Sequence, residues 1–141
     1  MDKILIIYPA IAMFFLTFSM IMVLGFSRFI AIRQHKVSIK FYKTYNEGQQ
    51  SDRLHLLNRH IQNYFEVPPL FYVGVILTFI VDGVSLPALI FAWLFFILRC
   101  LHAYIHLGSN NVSRRFFCFG LSLAALLGLW GVLFAHLLGW M

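Results

Sequence analysis

Arg59-His60-Ile61-Gln62-Asn63-Tyr64-Phe65-Glu66-Val67-Pro68 leads straight into a long apolar run, and it takes a cation, an amide and a carboxylate with it. Helical residues turn by about 100° each, so Arg59, Asn63 and Glu66 fall within about 60° of one another on one face. A charged group near hydrocarbon costs roughly 2.5–3.5 kcal/mol on insertion scales, so it faces a partner, a cavity or a ligand rather than lipid. Set at the mouth of a membrane helix, such a trio suits a small zwitterion. The blander reading has Arg59 snorkelling to headgroups while Asn63 and Glu66 bond a neighbouring helix. That reading explains Glu66 least well, because a carboxylate so far in needs a specific partner. Pro68 and Pro69 also free backbone carbonyls about a turn away, which a polar neighbour can satisfy.

Composition fixes the class around this segment. Of the 141 residues, 61% are hydrophobic, 18% aromatic and only 11% charged, whereas a soluble domain carries about a quarter charged residues. The chain reads as an all-α integral membrane protein in a single domain, residues 1–141. A formal charge of +6 raises nucleic acid as a partner. The cations argue against it, since they gather at the ends of apolar runs as membrane flanks do. Cys100 and Cys118 lie in or beside apolar segments without ligand spacing and read as ordinary buried thiols.

Four spans are expected, over about 4–27, 61–81, 86–107 and 116–141, with a basic loop over 28–60. The first run follows Asp2-Lys3 but is too long for a signal-peptide core and lacks a small-residue cleavage site, so it is expected to remain as an anchor helix. Arg28, Arg33, Lys36, Lys40, Lys43, Arg53 and Arg59 bound or fill the first connection, and Arg99, Arg114 and Arg115 bound the third. Only Lys3 lies at the other end. The positive-inside rule therefore places both basic connections in the cytoplasm and both termini on the non-cytoplasmic side. Within the first loop, Phe41, Tyr42 and Tyr45 among lysines suggest an interfacial stretch as readily as a solvated one, and 46–52 reads as turn-rich.

The third span offers a complementary polar face. Arg99, His102 and His106 follow an i, i+3, i+7 pattern at the same end of the bundle as Arg59, Asn63 and Glu66. Two such faces at one depth form a pocket, with Arg114 and Arg115 at its rim. His102 and His106 have the spacing to share a metal ion, but no third ligand is placed, and no metal is expected. In the fourth span, Gly120, Ala124 and Gly128 form a small-residue stripe suited to close helix approach. Trp130 reads as packing, Trp140 as an anchor at the outer surface and His136 as an interfacial residue.

Arg59-x-x-x-Asn63-x-x-Glu66-x-x-Pro69, followed by Arg99-x-x-His102 and then by Asn110, Asn111 and Arg115, resembles the MAPEG family, the membrane-associated proteins in eicosanoid and glutathione metabolism. The resemblance covers nearly the whole chain. It implies a homotrimer of four-helix protomers with glutathione, as cosubstrate, held between subunits near the cytoplasmic face. Arg59, Asn63 and Glu66 match the motif that grips glutathione, and Arg99, His102 and His106 match third-span positions that also face it. Arg115 or Arg114 would match the arginine that steadies the thiolate. Arg28 or Arg33 would reach the ligand from a neighbouring subunit. Two positions depart from the pattern: Val67 stands where the eicosanoid enzymes often carry Tyr, and His102 and His106 stand where some members place tyrosines. A compact form without a processing or retention signal implies a bacterial inner membrane.

Glutathione carries two carboxylates, an ammonium and a thiol, so Arg, Asn and Glu on one wall suit its ends. A thiol with a pKa near 8.5 is only a few per cent thiolate at neutral pH, and an adjacent arginine raises that fraction. A small lipophilic electrophile arriving through the bilayer would then meet an activated nucleophile. The expected function is a glutathione-dependent transferase or peroxidase. The alternatives are a non-catalytic protein of the same fold that binds a lipid headgroup or anionic metabolite, and an exporter that uses Glu66 for proton coupling.

Overall fold

The computed structural model describes residues 2–34, 37 and 51–140. It is helical, with no strand among the described residues. A 3-10 turn over Lys3–Ile6, started by Asp2 accepting from the Ile4 N–H at 3.0 Å, leads into α1, Ile7–Arg33. Helices α2 (Asp52–Glu66) and α3 (Pro68–Ile80) follow, then α4 (Leu86–Leu107) and α5 (Val112–Leu137). Four helical stretches are long and apolar enough to cross a membrane, with α2 and α3 counting as one over Asp52–Ile80. Chains without edges are the ones lipid tolerates, because helices satisfy their own backbone polar groups.

Boundaries depart from expectation wherever polar residues continue a helix. The helix of the second crossing starts at Asp52, well before residue 61, and α1 runs on through Arg28 to Arg33. The basic loop is correspondingly shorter than 28–60. Ser51 stands at the N-cap position and Asp52 places a carboxylate in the first turn, where the helix dipole favours it. The last helix starts at Val112 rather than 116, because the Asn111 side chain accepts from the Arg114 N–H at 3.0 Å and caps it. Phe41, Tyr42 and Tyr45, the lysines Lys36, Lys40 and Lys43, and the turn-rich stretch over 46–50 lie outside the described residues.

The break between α2 and α3 follows from Pro68-Pro69. Two missing N–H groups interrupt the helical ladder; the Val67 N–H reaches the Asn63 carbonyl only at 3.5 Å, and the Leu70 N–H takes the Val67 carbonyl at 3.0 Å instead. The core gathers Tyr64, Val67, Phe71 and Val75 against Ala88, Ala92, Phe95 and Leu98, with Ala125, Leu126 and Leu129 from α5. Phe71 and Phe95 stack at 4.5 Å. Gly128 lets α5 approach α4, since a Cβ there would stand 2.5 Å from the Phe91 ring. Gly74 gives the same room to Trp130, whose indole N–H donates to the Leu70 carbonyl at 3.3 Å. Outside this core the bundle is covered with exposed apolar side chains such as Phe14, Phe18, Phe29, Leu127 and Phe134.

One end of the bundle is tied by Lys3, paired with Asp82 at 2.8 Å. There Asp82 turns the chain at φ 54, and Gly83 packs against His136, where a Cβ would come within 2.8 Å. His136 Nε2 lies 3.0 Å from the Val81 carbonyl, so it carries the proton and donates. His136 is thus a tie between α5 and the α3–α4 turn. The polar faces of α2 and α4 lie at the opposite end.

Candidate functional site

Arg59, Gln62, Asn63 and Glu66 line one wall of a cleft of about 380 Å³, with His102 and His106 of α4 and Val112, Arg115, Phe116 and Phe119 of α5 completing it. That volume lies in the range of small-molecule pockets, about 300–1,000 Å³. The α2 wall is the stripe i, i+3, i+4, i+7, and Gln62 belongs to it by the same spacing that singles out its neighbours. Arg59 and Glu66 are exposed and Asn63 is half-buried, whereas His102 and His106 are sealed to 2% and 1% exposure on their inner sides. The cleft therefore has an open polar wall and a buried imidazole floor.

Arg115 reaches the cleft because of the turn before it. Helix α4 stops at Leu107, Asn110 adopts a left-handed backbone at φ 46, and its N–H bonds the Ile105 carbonyl at 2.8 Å. The Asn110 side-chain oxygen then accepts from Arg115 Nη1 at 2.9 Å, which holds the guanidinium over the pocket. Arg114, one residue earlier on α5, is exposed and does not line the cleft. Of the two rim arginines, only Arg115 lines the cleft.

Arg99 is not a lining residue. It is fully buried beneath the wall and donates through Nη2 to the Asn63 carbonyl at 3.0 Å. The Asn63 carbonyl also keeps a long bond from the Val67 N–H; the carbonyls that Pro68 and Pro69 leave without a helical donor are those of Tyr64 and Phe65. Its guanidinium lies between the rings of Tyr64 at 5.0 Å and Phe119 at 5.7 Å, a cation–π setting that suits a charge removed from water. Arg28 hydrogen-bonds the Asn58 side-chain oxygen of its own chain, and Arg33 is exposed at the end of α1; neither lines the cleft.

His60 is the residue that sequence reasoning passed over. It is fully buried, its ring centroid 4.9 Å from that of His106 and 5.7 Å from that of His102, with interplanar angles of 25° and 23°. His102 and His106 are themselves 5.7 Å apart, and Tyr64 meets His60 edge-on at 4.9 Å. The signal was present in spacing: His60, Tyr64, Phe71, Val75 and Thr78 form the buried stripe of α2 and α3. Among the described residues, no group of His, Cys, Asp and Glu is arranged to hold a metal ion. Cys100 and Cys118 are free thiols, half-buried and buried.

The arrangement can hold an elongated, mixed-charge ligand. Glu66 can take a cation, Arg59 and Arg115 anions, and the Gln62 and Asn63 amides either, while Phe116 and Phe119 add apolar surface to the same cleft. The family model described as MAPEG family matches residues 6–135 of the chain. No curated protein and no solved structure matches it.

Proposed function

The chain belongs to the MAPEG family, a family of helical membrane proteins that includes glutathione-dependent transferases and peroxidases, and from that premise we propose that the cleft binds glutathione and activates its thiol toward small lipophilic electrophiles or hydroperoxides. The observation that carries the reading is the convergence of Arg59, Asn63, Glu66, His102, His106 and Arg115, drawn from three helices, on one cleft. Glu66 takes the ligand's ammonium and Arg59 a carboxylate. Arg115, fixed by Asn110, stands where a thiolate needs a cation, and a neighbouring positive charge raises the thiolate fraction. Arg114 is left to the headgroup region. Arg99 acts from beneath, by holding the Asn63 carbonyl.

The protein acts as a homotrimer in a bacterial inner membrane, with the cleft at the cytoplasmic end and both termini on the other side. The Lys3–Asp82 pair supports this topology, since it joins the N-terminus to the α3–α4 turn at the end away from the arginines. Arg59 and Glu66 are exposed in a single protomer, so a site closed against water needs a neighbouring subunit; Arg28 or Arg33 of that neighbour is the candidate to complete it. Titration of the purified protein with glutathione by calorimetry should show binding, and Arg59→Ala or Glu66→Gln should weaken it tenfold or more, on the order of 1.4 kcal/mol. Arg115→Ala should weaken binding less than either of these and should lower the rate of thiol conjugation to an electrophilic dye by more than the loss of binding accounts for. Binding without any rate above background would favour the non-catalytic reading, a receptor for an anionic metabolite or headgroup.

A further inference from the structure

Behind the cleft lies a cluster of buried polar groups that packing alone does not explain. Both ring nitrogens of His60, Nδ1 of His102 and of His106, the Tyr64 hydroxyl, and Nε and Nη1 of Arg99 are all buried without a hydrogen-bond partner. A buried polar group left unpaired is destabilising, because it gives up its bonds to water and gains none. A phenylalanine at position 60 would fill the same space, stack on the same two rings and incur none of that cost. The three imidazoles are concentrated instead where they share the surroundings of the ligand cleft.

The charges facing these rings are strongly one-sided. Helix α2 contributes Arg59, with Tyr64 edge-on to His60, and the carboxylate of Glu66 across the cleft; α4 contributes Arg99, and α5 contributes Arg115. Among the described residues, no titratable group of α1 or α3 faces the three rings. Glu66 is the one carboxylate in the cleft against Arg59 and Arg115, so an entering anion adds negative charge on the side where cations prevail, and a nearby anion favours imidazolium over imidazole.

We infer that His60, His102 and His106 form a proton-uptake site coupled to the cleft, so that an acidic ligand binds together with protons drawn from solution onto these rings. His60, which does not line the cleft, is a positioning and specificity-determining member. The proton comes from water and lands on a ring nitrogen lone pair, and no bond of the ligand breaks. Linkage then fixes the sign: affinity for an anionic ligand rises as pH falls, by at most ~tenfold per pH unit for each proton taken up. A neutral compound of the same shape gains nothing, which makes the cluster a filter for acids.

This inference rests on the reading that the cleft takes glutathione, and calorimetry with S-methylglutathione tests it, because that probe has no thiol proton to release. Full-length protein in detergent is titrated at one pH in two buffers of different ionisation heat, and again at pH 6 and pH 8. Wild type should take up protons together with the ligand and bind more tightly at pH 6 than at pH 8. His60→Phe should lose at least half of that uptake with helix content unchanged; His60→Gln, which bonds but does not titrate, serves if the phenylalanine variant fails to fold. Equal heats in both buffers with equal affinity at both pH values would overturn the inference and leave the glutathione reading standing. Full uptake retained in the folded His60 variant would remove His60 from the site. Absence of any binding would remove the glutathione reading and this inference with it.

Discussion

Arg99 shows how one residue can satisfy a pattern and still sit in an unexpected place. Its spacing with His102 and His106 puts it on the face that carries the cleft, yet it is fully buried and bonds the Asn63 carbonyl. Burying a guanidinium is expensive, and even a whole buried ion pair replaced by well-packed apolar residues is often neutral or stabilising by ~1–4 kcal/mol; Arg99 has a single carbonyl acceptor to offset its burial. Arg99→Met is therefore expected to leave the melting temperature in detergent unchanged or raised, because the Val67 N–H still reaches the Asn63 carbonyl, if weakly. The same variant should weaken glutathione binding several-fold, since the α2 wall loses the brace that sets Asn63. Lost stability with intact affinity would reverse this assignment and make Arg99 a purely structural group.

Helix by helix, what was legible in the chain depended on whether a spacing or a neighbour decided the outcome. The Arg59, Asn63 and Glu66 stripe follows from spacing and is found intact, whereas Gln62 shares that spacing and was overlooked. The early start of α2 was missed because a search for apolar runs discards polar turns; yet Leu54, Leu57, Ile61 and Tyr64 already trace the buried face of an amphipathic helix. Which rim arginine reaches the cleft was not legible, since it depends on the left-handed Asn110 that aims Arg115. Nor was the split of the α5 stripe: Gly128 is occupied within the protomer by Phe91, while a Cβ at Gly120 or Gly131 meets nothing within 4 Å. Gly128→Ala should therefore cost about 1–3 kcal/mol through overpacking against that ring. Gly131→Ala should be neutral or gain about 0.5–1 kcal/mol from better helix propensity. Thermal unfolding of the two variants, followed by circular dichroism in one detergent, checks the contrast.

At the scale of the whole molecule, the open glycines and the open polar wall raise the same question, namely what covers them. Gly120 and Gly131 are eleven residues apart, so they lie within about 20° of each other on α5 and mark one lipid-facing or subunit-facing line. Without a hydrophobic drive between helices in lipid, close backbone approach at small residues is a principal source of association. Arg59 and Glu66 on α2 need a covering surface as well, because a charge left facing hydrocarbon is costly. A trimer answers both needs if α5 or α1 of one protomer closes the cleft of the next. Replacing both Gly120 and Gly131 with leucine starts each new side chain from a Cβ in open space, so helix content and melting should hold. If the proposed trimer packs there, the same change should shift native mass spectra from three chains per particle toward one, and affinity for glutathione should fall in step. A double variant that stays trimeric would move the interface to another face. A monomeric variant that binds at full strength would place the complete site within a single chain.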